Sequence, residues 1–194
     1  TVVIVGGGLT GVELACEMPD RLRAAGVAEA RVILVDAQPH IGSNMGDQAM
    51  PVIGDALQSV GVETRTDVAI ESIEADGVVL QDGERIAAGT VVWTAGMRAS
   101  PLAELISADR DGAGRLRADA YLRVTGAPSI FAAGDIANAP LGDGHKSVMS
   151  CQHARPMGRL AGHNVASDLL GRDDLLALDI DYYVTCLDLG SWGA

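Results

Sequence analysis

A chain of 194 residues, 48% hydrophobic and 21% charged, has the make-up of a globular protein with one full core and part of another, and excludes a disordered or fibrous one. The formal net charge of −12 argues against nucleic acid as a partner, because phosphate backbones are held by clusters of Lys and Arg. No apolar run approaches the roughly 20 residues of a membrane-crossing helix, and the first apolar residues lead into a glycine loop rather than a signal peptide.

Residues 1–5 are a β-branched run that stops at glycine, the pattern of a buried strand. Residues 9–25 predict a helix with Leu9, Val12, Cys16 and Leu22 near one face, kinked where Pro19 removes a backbone donor. RVILVD (31–36) predicts a central parallel strand, residues 44–60 a second helix and GVETRT (61–66) a third strand. This β-α-β-α-β order with short connections is that of a doubly wound parallel sheet. Beyond residue 66 the texture changes. Asp76-Gly77 and Asp82-Gly83 are hairpin-turn dipeptides, so an antiparallel meander is expected, then a return strand at 90–94 that rejoins the parallel sheet. Residues 107–115, with Asp and Gly, read as a junction. RLRADAYLRV (115–124) and SIFAAGD (129–135) read as strands of a different unit. Residues 147–170 predict a helix anchored by Val148, Leu160, Val165 and Leu169, and YYVTCLDLGSWGA (182–194) begins a further strand.

The loop Gly6-Gly7-Gly8-Leu9-Thr10-Gly11 fits GxGxxG through Gly6, Gly8 and Gly11. The first glycine allows the tight turn, the second lets backbone approach a pyrophosphate, and the third lets helix and strand pack closely. An acid, Asp36, ends the second strand 25 positions after Gly11, where a carboxylate accepts from adenosine ribose hydroxyls and repels a 2′-phosphate. NADH is therefore expected over NADPH. Glu13 has two readings, a functional carboxylate or one stabilised by the helix dipole by ~0.3–1 kcal/mol. Asp135, at the end of IFAAGD, lies at a strand's carboxyl edge after Gly134; it reads as a ligand for ribityl or ribose hydroxyls, or as a turn acid.

The three cysteines, Cys16, Cys151 and Cys186, form no CxxC pair, and His40, His145, His153 and His163 show no ligand spacing, so neither a redox disulfide nor a metal site is expected. That cysteine usage suits a reducing cytoplasm. Cys16 reads as a packed core thiol, Cys151 as inert packing near a helix start, and Trp93 as core at the end of a buried strand.

GGGLTGVE, VVWTAGMRASPL and IFAAGD occur in this order in the two-dinucleotide-domain flavoprotein reductases. The sequence resembles this pyridine nucleotide-disulfide oxidoreductase family over nearly its whole length. Through SCQHARPMGRLAGHN (150–164) it is most similar to the type II NADH dehydrogenase-like branch. The resemblance implies an α/β fold: a Rossmann-like parallel sheet with an antiparallel meander, forming an NADH-binding domain over 1–106. Residues 107–172 are then the second half of an FAD-binding domain and 173–194 the start of a C-terminal interface region. An FAD-binding segment is expected upstream and more of the interface domain downstream, so that the fragment alone holds FAD poorly and is inactive.

FAD and NADH are the implied cofactors. Gly6, Gly8, Leu9, Thr10, Gly11, Asp36, Ala95 and Gly96 form the expected NADH side, and Gly134, Asp135, Gln152 and His153 the flavin side. Glu13, near the nicotinamide, and Gln152, at the helix entrance near the flavin, are the implied catalytic residues. The implied reaction passes hydride from NADH to flavin and then electrons to a small-molecule acceptor such as a quinone, or to a small electron-transfer protein. The family picture adds peripheral contact with the inner face of the cell membrane through a later segment, and a homodimer as one assembly. Quinone-linked members commonly carry AQxAxQ at this helix. Cys151-Gln152-His153-Ala154-Arg155-Pro156 keeps the first Gln but puts Pro156 in place of the second, which weighs against a quinone. A ferredoxin or rubredoxin reductase and a non-catalytic NADH sensor are the competing readings; the net charge of −12 disfavours docking of an acidic carrier.

Overall fold

The computed structural model describes residues 1–142, 144–180, 184 and 186–194. The chain divides into two units, Thr1–Gly96 with Thr185–Ala194, and Met97–Val184. No helix among the described residues is long and apolar enough to cross a membrane.

The first unit is built on a parallel sheet in the order β3-β2-β1-β7, comprising β1 (Val2–Val5), β2 (Val32–Val35), β3 (Glu63–Arg65) and β7 (Thr90–Trp93). Val5 is in register with Val35 on one side and Trp93 on the other, so β1 and β2 are central and buried throughout. Strand alternation then sorts the side chains. Val2, Ile4, Val32 and Leu34 face α1 (Leu9–Ala24) and α2 (Ala49–Ser59), packing against Val12, Cys16, Ile53 and Leu57. Val3, Val5, Ile33 and Val35 face the other way, against Val78, Leu80 and Ile86 of the antiparallel meander β4 (Ile70–Glu74), β5 (Gly77–Leu80) and β6 (Arg85–Ala87). Each fully buried Val, Leu or Ile contributes roughly 1.5–3 kcal/mol. The parallel sheet, the meander and the returning strand match the sequence expectation, but the sheet is not doubly wound: α1 and α2 both pack on one face and the meander covers the other.

Details differ. The helix expected over 44–60 is split at Gly46 into a short 3-10 helix, Ser43–Met45, and α2. α1 runs through Pro19, whose missing N–H leaves the Ala15 carbonyl without its i+4 donor. Trp93 is 56% exposed instead of core, because β7 is an edge strand; its indole N–H donates to the Ala95 carbonyl at 2.7 Å.

Among its described residues the second unit holds four short strands, β8 (Leu116–Arg117), β9 (Arg123–Val124), β10 (Ala127–Phe131) and β11 (Ala137–Asn138), and the long helix α3 (Cys151–Leu169). The single strand expected from RLRADAYLRV is divided because Asp119 forms a turn, its carboxylate accepting the Tyr121 and Arg123 N–H groups at 2.9 Å each. SIFAAGD ends as a strand at Phe131 and continues into a 3-10 helix, Gly134–Ile136. α3 turns a mixed face inward. His153, Met157, Asn164 and Ser167 are buried, whereas the expected anchors Val165 and Leu169 are exposed. The start of the strand expected from Tyr182 lies outside the described residues. Residues 187–194 form no strand and end in a 3-10 helix, Gly190–Trp192.

A polar knot ties the second unit together. Arg115 pairs with Asp111 at 2.8 Å and donates to the Ser147 carbonyl at 2.7 Å, while Asn138 donates to Asp111 at 2.9 Å. Burial pushes the Asp111 carboxyl up, but N–H bonds from Arg115 and Ala113 and the Arg115 charge outweigh it and hold the group below its ordinary value.

Candidate functional site

Two constellations form, one in each unit. In the first, the glycine loop leaves the carboxyl end of β1, where neighbouring strands connect in opposite directions. That crevice is where open α/β sheets bind ligands. Gly6 has φ +109°, and a Cβ there would meet the Ala95 backbone nitrogen at 2.7 Å. A Cβ on Gly11 would lie 1.8 Å from the Gly6 carbonyl oxygen, so only glycine lets α1 lie this close to the strand end. Gly8 differs. It is the N-cap of α1, no side chain caps that end, and the nearest atom to a Cβ there is Asn44 Nδ2 at 3.9 Å. The open space above Gly8 is room for an anion at the helix N-terminus.

Asp36 is fastened to this loop. One carboxylate oxygen accepts the Gly7 N–H and the other accepts the Gln38 N–H at 2.7 Å. The Gly7 carbonyl in turn accepts from Gly42 at 2.9 Å, so the segment after Asp36 is pinned to the glycine loop. A cavity of about 950 Å³ opens along it, lined by Pro39, His40, Met50, Gln58 and Thr64 among others. On the other side of β1, the Thr94 hydroxyl donates to the Val5 carbonyl at 2.8 Å and lies 3.1 Å from that of Gly6. This orders the turn into Ala95 and Gly96. Thr94 was not singled out from sequence, although it stands inside VVWTAG; its use depends on a pairing across 89 residues.

Leu9 and Thr10 open α1, with Thr10 exposed. Glu13 stands in the second turn, and its Oε1 accepts the Asp188 N–H at 3.1 Å. Cys16, one turn further, is fully buried, and burial together with the Asp188 charge pushes its thiol up to about 11. It is the packed core thiol expected of it.

The second constellation joins Gly134 and Asp135 to the first turn of α3. Gly134 has φ +76°, and a Cβ there would touch Ala154 at 3.5 Å. Asp135 is exposed beside it. Ser150 caps α3, accepting the Gln152 N–H at 3.2 Å. The Gln152 carboxamide is committed to main chain, donating to the Val184 carbonyl at 2.8 Å and accepting its N–H at 3.4 Å. Cys151 is exposed, against the packing expected of it. Among the described residues, no group of three or more His, Cys, Asp or Glu is placed to hold a metal ion.

His153 turns inward, and its Nδ1 accepts the Val148 N–H at 3.0 Å. Burial pushes its pKa below the ordinary value of 6.5. The unfolded chain therefore takes up a proton that the folded one refuses, so stability is full above about pH 6.5 and declines as pH falls toward the lower folded pKa. Thermal melts at pH 7.5 and 5.5 should show this loss. His153→Asn, whose side-chain oxygen can keep the Val148 N–H, should lose less between the two pH values.

Residues 1–158 match the family model for pyridine nucleotide-disulphide oxidoreductases. The chain is 58% identical over 199 aligned residues to an NADH dehydrogenase-like protein of Mycobacterium tuberculosis, which covers 100% of this chain and 49% of that protein. To a type II NADH:quinone oxidoreductase of the same organism it is 34% identical over 157 residues, 72% of this chain and 33% of the relative. Among solved structures, a ferredoxin reductase from Rhodopseudomonas palustris aligns with a TM-score of 0.71 at 26% identity, over 92% of this chain and 42% of that one. The chain thus spans about half the length of the first of these relatives.

Proposed function

The chain belongs to the pyridine nucleotide-disulphide oxidoreductase family, and on that premise we propose that it carries the NADH site of a flavin-dependent NADH oxidoreductase. The observation that supports this most is the glycine loop with Asp36 bonded to Gly7, an open helix N-terminus and a carboxylate held in one rigid turn. The residues fit the cofactor. Gly8 leaves room for a pyrophosphate, the partial positive charge of α1 favours it, and Asp36 keeps lone pairs for ribose hydroxyls while repelling a 2′-phosphate. The cavity beside Pro39 and His40 adjoins the segment that follows Asp36. Leu9 and Thr10 open α1, Ala95 and Gly96 form the turn after β7, and Glu13 is the carboxylate assigned to the nicotinamide.

In this reading the second unit serves the flavin, with Gly134 and Asp135 as its contacts and α3 entering beside them. When bound, an FAD supplies the two-electron acceptor that NADH needs and the means of passing electrons onward. Gln152 and His153 contribute by fixing the start of α3, through Val184 and Val148, so that the helix N-terminus favours negative charge near it. The names of the relatives supply two acceptor classes, a quinone and a ferredoxin. Pro156 departs from the quinone-linked pattern at α3, but the net charge of −12 disfavours an acidic carrier more, so a quinone is the acceptor proposed.

Anaerobic mixing of the flavin-loaded, full-length protein with NADH tests this reading. Bleaching of the flavin absorbance within the time of turnover is the expected result. Stoichiometric NADH binding without bleaching would instead identify a sensor.

A further inference from the structure

Resting on the NADH reading above, we propose that residues 186–194 form a positioning clip that fixes the Glu13 carboxylate in one orientation for the nicotinamide. The contact joins residues 175 positions apart: the Asp188 N–H donates to Glu13 Oε1 at 3.1 Å. Three features hold the donor in place. Leu189 is 3% exposed and belongs to the same core cluster as Val12 and Cys16 of α1. Gly190 has φ +65°, and a Cβ there would lie 2.7 Å from the Cys16 carbonyl oxygen, so glycine is what lets the segment lie on the helix. The Asp188 carboxylate is turned back to accept the Gly190 N–H at 2.9 Å, while the Leu189 N–H donates to the Gly193 carbonyl at 2.8 Å.

A glutamate on a helix surface samples several rotamers, and each must be frozen out before it can meet a ligand. Here one oxygen is already held by a main-chain N–H, so the carboxylate needs little ordering when a nicotinamide carboxamide, with its N–H donors, arrives. Glu13 also lines a cavity of about 740 Å³ with Met45, Val52, Asp188 and Trp192, so the clip forms part of the wall beside the residue it holds. The segment supplies no chemistry of its own. It acts through Glu13.

The test is a double-variant cycle on the flavin-loaded, full-length protein with Glu13→Ala and Gly190→Ala, read three ways. Amide exchange should quicken at least tenfold at Asp188 in Glu13→Ala and stay unchanged at Leu189. Gly190→Ala should slow flavin reduction at saturating NADH about tenfold, with NADH affinity within twofold of wild type. Added to Glu13→Ala, it should cause no further slowing. If Gly190→Ala does not fold, Leu189→Ala, which loosens the anchor without a backbone clash, takes its place in the cycle. Losses that multiply in the double variant, or an Asp188 amide indifferent to Glu13→Ala, would overturn the clip. A wild-type protein that takes no electrons from NADH would overturn the NADH reading instead, and the exchange result would still decide whether Glu13 holds the segment.

Discussion

Gly11→Ala is expected to abolish measurable NADH binding and to lower stability by about 3 kcal/mol, the upper end for overpacking a close contact. The added methyl would stand 1.8 Å from the Gly6 carbonyl oxygen and 2.8 Å from the Thr94 hydroxyl, so α1 must move away from β1. That movement also disturbs the Thr94 bond to Val5 and the turn at Ala95. Gly8→Ala is the control. Its methyl meets nothing closer than 3.9 Å and its φ is −80°, so the fold should lose at most about 1 kcal/mol at the cap. Binding should nevertheless fall at least tenfold, because the methyl occupies the space above the helix N-terminus. Urea unfolding and NADH titration of the two variants separate the effects. Gly8→Ala binding NADH as wild type does would place the dinucleotide elsewhere.

The largest purely structural effect is expected at Asn164, which is fully buried on α3. Its Nδ2 donates to the Tyr121 and Leu176 carbonyls at 2.8 Å each, and its Oδ1 accepts the Leu176 N–H at 2.9 Å. Asn164→Ala leaves three main-chain groups without this partner in a closed interior, each worth roughly 1–3 kcal/mol when unsatisfied. A loss of about 4 kcal/mol in urea unfolding is the expected outcome. Asn164→Asp should also destabilise, since it replaces the donor facing two carbonyls with an oxygen. A loss below about 1 kcal/mol in both variants would show that the clip of three bonds carries no net stability.

These two residues also show what the sequence could and could not reveal. Gly11 was legible because the demand it meets is local: a strand, a tight turn and a helix within a dozen residues leave a fixed glycine spacing. The parallel sheet was legible for a similar reason, since a strand covered on both faces must be apolar throughout, as Val2–Val5 and Val32–Val35 are. Asn164 was hidden because counting apolar residues assumes an apolar inner face. α3 instead turns His153 and Asn164 inward to satisfy main chain, buries Ser167 as well, and leaves Val165 and Leu169 in solvent. Trp93 misled for a related reason, its strand being central in composition but an edge in topology.

The site divides in the same way. Asp36 could be read from its place at the end of a strand, but its bond to Gly7 depends on the loop geometry of two segments 29 residues apart. The commitment of Gln152 to Val184 and of Glu13 to Asp188 could not be read at all, because each depends on where a distant, unpatterned segment comes to rest.

If the glycine loop and Asp36 form an NADH site, the carboxylate must discriminate against a 2′-phosphate. Dissociation constants for NADH and NADPH, measured side by side on the full-length protein and on Asp36→Ala, test it most directly. Wild type should bind NADH at least tenfold tighter than NADPH, and Asp36→Ala should lose most of this preference. Equal affinity for the two cofactors in wild type, or a preference unchanged in Asp36→Ala, would contradict it.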